Sequence, residues 1–415
     1  MKTLLTSISI FFAALVLVVG CKKDKDPVPV PEDPAKRFVQ VLDDSLKSRG
    51  FGYSFVVYKN NEILGSASGG LQATTVEADK DFPITLDSKM QIASMTKTLT
   101  AAAFLKLAQE KGIKTTDKII DHLPKTWTKG PNIDLITFKD LLTHTSGIIG
   151  LGEYCQNGAY SENNWYGLKA LIEKGVKTEN RQVSCYQNAN FGLFRVLIPS
   201  ILGYQFSGHD INDGLATATQ YEEYVSKNIL EKAGVVTSNF LNNSFPVATF
   251  GYDFPYTKEL GFNPGDFSQT TGGYGVYLSA NEAVKVYSSL FETDNNAILT
   301  AEMREQILTS GLGSYCTVTP EGKFSYHDGW WYLNYGNGKW KGFRSIWMKC
   351  PENMTVVLFT NALRNGDGLF PISSGIYSDI TSYVLWAFSK YKDPGRGKRT
   401  APVNFHDYLE HPEPH

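Results

Sequence analysis

The chain has 415 residues, with 40 Lys plus Arg against 42 Asp plus Glu and a formal net charge of −2. That balance gives no electrostatic support for a nucleic-acid partner, and 42% hydrophobic with 20% charged residues excludes a wholly disordered chain. The length permits one large domain or two to three smaller ones. The longest apolar run, Leu4–Val19, is shorter than the roughly 20 residues of a membrane span and sits at the N-terminus behind Lys2. It reads as a leader, not as part of the fold.

That run ends in Leu17-Val18-Val19-Gly20-Cys21, which resembles a bacterial lipobox. The resemblance implies a lipoprotein signal peptide over residues 1–20 and lipidation of Cys21. The product would be anchored to a membrane through its N-terminal lipid, in the bacterial cell envelope, periplasmic or surface-exposed. Residues 21–34 hold a charged run and Pro27, Pro29, Pro31 and Pro34, the composition of an extended tether. Residues 35–391 are expected to form the folded domain, and 392–415 a polar tail with little to pack.

Within the domain, Phe38, Val41, Leu42 and Leu46 recur at helical spacing over 35–49, and Gly50 stops that helix. Phe51–Tyr58 and Glu62–Ala67 read as strands about a turn at Lys59-Asn60-Asn61. Thr96–Lys111 is strongly helical and closes at Gly112. Further helical segments are expected at 137–143, 165–174, 190–201, 219–233 and 280–291. Residues 323–333, 342–349 and 354–360 alternate like antiparallel strands, and Pro371–Tyr391 closes with an apolar helix. The expected fold class is α+β: an antiparallel sheet flanked by N- and C-terminal helices, with a mainly helical region inserted over about 96–270. Four cysteines follow the leader, Cys155, Cys185, Cys316 and Cys350, and allow three pairings. Cys155–Cys185 with Cys316–Cys350 is the expected set, with buried thiols as the alternative. Without C-x-x-C spacing they do not suggest zinc.

The first chemical candidate is Ser94-Met95-Thr96-Lys97. Ser and Lys three apart at a helix start share one face, so an amine can take the proton that keeps a hydroxyl from being a nucleophile. The spacing alone is weak, because Ser389-Lys390-Tyr391-Lys392 has it too, at the margin of the polar tail. The flanks of Ser94 are more specific. Met90-Gln91-Ile92-Ala93 precedes it, and Asp117-Lys118-Ile119-Ile120-Asp121-His122-Leu123-Pro124 and Leu141-Leu142-Thr143-His144-Thr145-Ser146-Gly147 follow in order. This series resembles the serine β-lactamase-like family: class C β-lactamases, D-Ala-D-Ala carboxypeptidases, D-aminopeptidases and related esterases. The resemblance spans roughly residues 35–390 and implies the β-lactamase/transpeptidase-like version of the expected fold.

It also implies roles. Ser94 would be the nucleophile, with Lys97 and the Tyr of Tyr186-Gln187-Asn188 shuttling its proton. Asn188 would contact Lys97 and the substrate. His327-Asp328-Gly329 would supply a cation and a bare strand segment, with the Trp330 backbone N–H completing the oxyanion hole beside that of Ser94. Asp328 and Trp330 depart from the family pattern, which leaves a binding module of impaired turnover as the rival to a hydrolase. His144 is assigned a packing role and Arg344 a solvated one. Gly272–Ser279 and Met354–Asn361 read as scaffold, and most of Trp330, Trp331, Tyr332, Tyr335, Trp340, Phe343 and Trp347 as sheet core. No G-x-S-x-G, H-E-x-x-H or nucleotide-binding pattern occurs, so neither metal nor cofactor is implied. The expected partner is a small-molecule or peptide substrate with an amide, ester or β-lactam carbonyl.

Overall fold

The computed structural model describes residues 33–47, 49–156, 160–236, 239–242, 246–254, 256–292, 296–334, 340–362, 380–393 and 395. The leader, Cys21, the tether through residue 32, Tyr335, residues 371–379 of the last expected helix and the tail beyond 395 lie outside them.

The chain opens with α1 (Pro34–Leu46), β1 (Tyr53–Lys59) and β2 (Glu62–Gly69), followed by short β3 (Leu71–Ala73), β4 (Phe82–Pro83) and β5 (Met90–Gln91). The helical region holds α2 (Thr96–Lys111), α3 (Phe138–Leu142), α4 (Trp165–Lys174), α5 (Asn188–Gly192), α6 (Phe194–Leu202) and α7 (Asp210–Val225). Then come β6 (Tyr277–Leu278), α8 (Ala280–Phe291), α9 (Ala301–Ser310), β7 (Tyr315–Thr319), β8 (Gly322–Asn334), β9 (Trp340–Cys350), β10 (Met354–Thr360) and α10 (Ile380–Lys392).

One antiparallel sheet of six strands runs in the order β2-β1-β10-β9-β8-β7, so both ends of the domain complete it. The period of two decides its faces. Phe324, Tyr326, Ile346, Met348, Val356 and Leu358 pack with Phe38 and Leu42 of α1 and Val384 and Phe388 of α10. The alternate residues Phe343, Trp347, Val357 and Phe359 join the cluster that contains α2 and α8. Central β10 is buried along its whole length, Thr355 and Thr360 included. Helix α2 threads the helical region with both flanks covered, and consecutive Ala101, Ala102 and Ala103 let neighbours approach it closely. Gly112 caps it in the left-handed conformation at φ 69°.

Several expectations change. The helix expected at 219–233 runs instead over Asp210–Val225 and carries Gly214 where it meets α4: a Cβ there would lie 3.0 Å from Trp165 Cβ. The 190–201 segment divides at Leu193 into α5 and α6. Strand β7 and helix α9 were not anticipated. Cys155 and Cys185 form a disulfide with a Cα–Cα distance of 5.8 Å, but Cys316 and Cys350 are not joined. Cys316 faces Ser325, which faces Lys349, so β8 separates the two cysteines by two strand spacings, roughly 10 Å, beyond disulfide reach. Cys350, next to Lys349, also projects to the opposite face.

Candidate active site

The site begins at a turn under tension. Ser94 lies in the tight turn Ala93–Met95 that leads into α2. Ala93 sits at φ 44°, a left-handed value uncommon for a residue with a Cβ. Neighbours hold it there. Its N–H donates to Gln91 Oε1 at 2.5 Å. Ser345 Oγ of β9 donates to Ile92 O at 2.7 Å, and Tyr287 Oη of α8 donates to Met95 O at 3.0 Å. Gly329 of β8 completes the seat: a Cβ there would stand 3.0 Å from Ala93 Cβ and closer still to Ile92 O and Ser345 Oγ. Sequence reasoning assigned this glycine to substrate approach. The structure adds that the strand packs directly on the Ser94 turn.

Two polar side chains from distant segments meet at Ser94 Oγ, and a third holds the amine of the first. Lys97 Nζ lies 2.9 Å from it, one helical turn on. Tyr186 Oη donates to the same oxygen at 2.6 Å. Asn188, the first residue of α5, accepts from Lys97 Nζ through Oδ1 at 2.7 Å. A fourth group was missed from sequence: Gly273 O accepts from Lys97 Nζ at 2.8 Å. The pair Gly272-Gly273 makes this possible. Gly272 is at φ 125°, and a Cβ on Gly273 would stand 2.8 Å from Asn188 O. Adjacent glycines between the polar Ser268–Thr271 and the aromatic and apolar Tyr274–Leu278 were the available signal.

Lys97 is fully buried, and desolvation pushes its ammonium well below the usual 10.5, while the Asp328 charge pulls the other way. Its Nζ lies over two rings, 4.6 Å from the Tyr186 centroid and 5.7 Å from that of Phe191.

Residues 36–370 match the family described as Beta-lactamase. The chain belongs to that family. Among its relatives, "Putative penicillin-binding protein PbpX" of Bacillus subtilis (strain 168) is 25% identical over 346 residues, covering 81% of this chain and 77% of the relative. Among solved structures, FmtA from Staphylococcus aureus aligns with a TM-score of 0.61 at 17% identity, over 86% of this chain and 88% of that one. D-amino acid amidase from Ochrobactrum anthropi SV3, complexed with D-phenylalanine, aligns with a TM-score of 0.62 at 17% identity, over 86% and 99%. These likenesses establish the β-lactamase/transpeptidase-like fold.

In this β-lactamase-family chain the third element of the site is β8. Its odd residues His327 and Gly329 share the face that carries Trp331 onto Phe267, Tyr274 and Tyr277 and meets the Ser94 turn. His327 is buried, stacks on Tyr315 at 4.9 Å, and donates from Nδ1 to Asp328 O at 2.6 Å. Its even residues face the other way. Asp328, the departure from the family pattern, pairs with Arg344 at 3.3 Å, and Arg344 lies over the Trp330 ring at 5.1 Å. Arg344 is therefore not the solvated residue expected but 4% exposed, because its register partner on β8 is Trp330 and its diagonal neighbour is Asp328. The two-residue turn Pro320-Glu321 makes Thr319 and Gly322 a hydrogen-bonded pair. Alternation then turns the N–H of Trp330 to the β7 side. Strand β7 ends at Tyr315 opposite Tyr326, so it does not cover that edge at Trp330.

Other expectations shift in detail. Of the aromatic group, Phe343 and Trp347 are core, whereas Trp330, Trp331 and Trp340 are half-buried and Tyr332 is 43% exposed. Ser389 of the second S-x-x-K is buried in α10 and donates to Trp386 O at 2.8 Å, a local helix contact. Among the described residues no group of three or more His, Cys, Asp or Glu is arranged to hold a metal ion, and no helix is long and apolar enough to cross a membrane.

Proposed function

We propose that the protein is a serine hydrolase that acts through an acyl-enzyme. One observation carries the reading. A neutral lysine has two N–H bonds and one lone pair, and two of the contacts of Lys97 Nζ are carbonyl oxygens that can only accept: Asn188 Oδ1 at 2.7 Å and Gly273 O at 2.8 Å. With Lys97 as the neutral amine that its burial favours, those two bonds would use both hydrogens and leave the lone pair toward Ser94 Oγ, 2.9 Å away, whose proton it can then take. Tyr186 Oη, 2.6 Å from the same oxygen, donates to it from the other side.

The reaction follows from this arrangement. Ser94 Oγ attacks the substrate carbonyl carbon as its proton passes to Lys97. The N–H groups of Ser94 and Trp330 take the oxyanion. Tyr186 gives its proton to the departing nitrogen or oxygen and regains one from Lys97. It then helps a water attack the acyl carbon, which releases the acid and restores Ser94. Asn188 and His327 orient the substrate. An amide, ester or β-lactam carbonyl suits this machinery. The names of the related proteins, a D-amino acid amidase and penicillin-binding proteins, direct attention to D-amino-acid and cell-wall peptides. The proposal includes export and lipidation at Cys21, which would hold the domain at a membrane of the cell envelope.

Labelling of the purified domain with a fluorophosphonate and a fluorescent penicillin tests the nucleophile. Wild type should be labelled by at least one probe and Ser94→Ala by neither. Equal labelling of the two proteins refutes it. Metabolic labelling with a palmitate analogue tests the anchor, and incorporation that survives Cys21→Ser would remove it.

A further inference from the structure

The His-Thr-Ser-Gly segment enters the site in a way that packing does not explain. His144 adopts φ 57°, and its ring lies on Tyr186 with centroids 4.4 Å apart and on Phe191 at 5.2 Å. Two donors converge on one ring nitrogen: Gln187 N–H at 3.1 Å and Asn190 Nδ2 at 3.1 Å from Nδ1. At the other end of the Asn190 amide, Ser146 Oγ, which accepts from Ile148 N–H at 3.1 Å, donates to Asn190 Oδ1 at 2.7 Å, and the nitrogen of the amide lies toward His144. A backbone N–H cannot accept. Nδ1 must therefore carry the lone pair, and the ring is the neutral Nε2–H tautomer.

We infer that His144 is a positioning residue whose neutral imidazole holds the Tyr186-Gln187-Asn188 segment against Ser94 and Lys97. The inference rests on the acyl-enzyme reading above and goes beyond it. Gln187 and Asn190 are fully buried, so water cannot replace the acceptor. Cys185 N–H donates to His144 O at 2.9 Å, so the backbone of the same residue pins the segment one position before Tyr186. Both functional side chains of the segment, the Tyr186 phenol and the Asn188 carboxamide, leave it within one residue of the Gln187 N–H. Protonation of Nδ1 turns the shared acceptor into a donor aimed at two donors and releases the segment. The charged and titratable groups on the surrounding elements are Tyr186 itself, Lys97 across the Tyr186 ring, and Lys139 and Asp140 of α3. Asp140 is already engaged: it accepts from Gln182 Nε2 at 2.7 Å and lies 3.7 Å from Arg181.

The test compares two residues that both tolerate a left-handed φ. His144→Asn places Oδ1 near the position of Nδ1 and keeps an acceptor, whereas His144→Gly keeps the backbone and removes it. The rate of fluorophosphonate labelling is followed from pH 5 to 9 alongside thermal unfolding. His144→Asn should stay within ~3-fold of wild type at neutral pH and lose the acid limb that the imidazole contributes. His144→Gly should fall by at least ~10-fold. A third variant, Asn190→Asp, exchanges the donor for a carboxylate that favours imidazolium and should move the acid limb up by about one pH unit. Equal impairment of His144→Asn and His144→Gly, or an acid limb unmoved in both His144→Asn and Asn190→Asp, overturns the inference while leaving the nucleophile intact. Nitrogen NMR of the imidazole does not need turnover: an Nδ1–H tautomer at neutral pH overturns it even if Ser94 proves inert.

Discussion

Gly273→Ala perturbs the smallest number of atoms with the largest consequence for Lys97. The added Cβ would stand 2.8 Å from Asn188 O and 3.2 Å from both Asn188 Cα and Oδ1, where ordinary contact starts at 3.4 Å. All but Oδ1 are backbone atoms, so no side-chain rotation relieves the clash, and α5 and the 272–274 loop must separate by about 0.6 Å. The two groups driven apart are the two carbonyl acceptors of Lys97 Nζ, now at 2.7 and 2.8 Å. Stretching one of them by 0.6 Å takes it past the ~3.2 Å limit of a good hydrogen bond. A neutral lysine that loses one fixed N–H no longer aims its lone pair at Ser94. The loss of one such bond is worth about 1–1.5 kcal/mol, or roughly tenfold in rate, and misplacement of the reacting groups can raise this toward ~10²-fold. Overpacking of this kind costs about 1–3 kcal/mol in stability. The assay is the second-order rate of fluorophosphonate labelling at neutral pH, with thermal unfolding measured on the same sample. A Gly273→Ala protein that is labelled at the wild-type rate, with an unchanged melting temperature, refutes the argument that these two carbonyls orient Lys97.

Four further outcomes are expected. Desolvation holds Lys97 well below the usual 10.5, so the neutral amine forms early and the labelling rate should rise with pH through a midpoint well below that value. Lys97→Ala should lower the rate by at least ~10²-fold, and a near-normal rate removes the lysine from proton transfer. The Cys155–Cys185 bridge spans 30 positions and ends one residue before Tyr186, so reduction should cost roughly 3–4 kcal/mol. Reductant should therefore lower the melting temperature of wild type but not of a Cys155→Ser/Cys185→Ser variant, and an unaffected wild type contradicts this. Glu352 is held down at about 2 by a hydrogen bond from Lys392, with Tyr391 and Lys59 adding to it. A depressed carboxylate stabilises above its unfolded value of 4.5 and loses that effect as pH falls toward about 2. The melting-temperature deficit of Glu352→Gln should thus be present at pH 7 and close between pH 4.5 and 2, and a deficit constant with pH would show that the charge is not its source.

What the sequence disclosed depended on the range of the interaction. Helix α2 was legible to the residue because its signals are local: an apolar run ended by Gly112 in a left-handed cap. Strands β8, β9 and β10 were legible because alternation is a property of each strand alone. The Ser94–Lys97 pair is likewise local, one turn of one helix. Tyr186 stands 92 positions from Ser94, and no periodicity links them, so only the family resemblance brought them together. The errors share the same origin. The proposed Cys316–Cys350 pair ignored the intervening β8, and Arg344 looked solvated because the carboxylate that pairs with it sits on the neighbouring strand. Gly273 and His144 act through a carbonyl and a ring nitrogen whose partners are 176 and 43 positions away.

The residues that position the site are those that break local rules, and they come from both of its halves. Ala93 at φ 44° and His144 at φ 57° hold conformations that side chains with a Cβ seldom adopt, and Lys97 is fully buried with its amine held by the oxygens of Ser94, Asn188 and Gly273. Such features persist only when the surroundings determine them. On the sheet side, Gly329 and Ser345 press on the Ile92–Ala93 turn and set the height of Ser94 over β8. On the helical side, His144 fixes the segment from which Tyr186 and Asn188 project. Ser94 and Lys97 lie where the two halves meet, bonded to Tyr186 and Asn188 on one side and seated against β8 on the other. A change on either half therefore reaches the same oxygen by a different route. In the proposed mechanism, sheet-side changes would displace the hydroxyl relative to the Trp330 N–H, whereas helix-side changes would alter which group takes its proton. The two kinds of damage separate in the pH profile: the first lowers the rate at every pH, and the second moves the limbs.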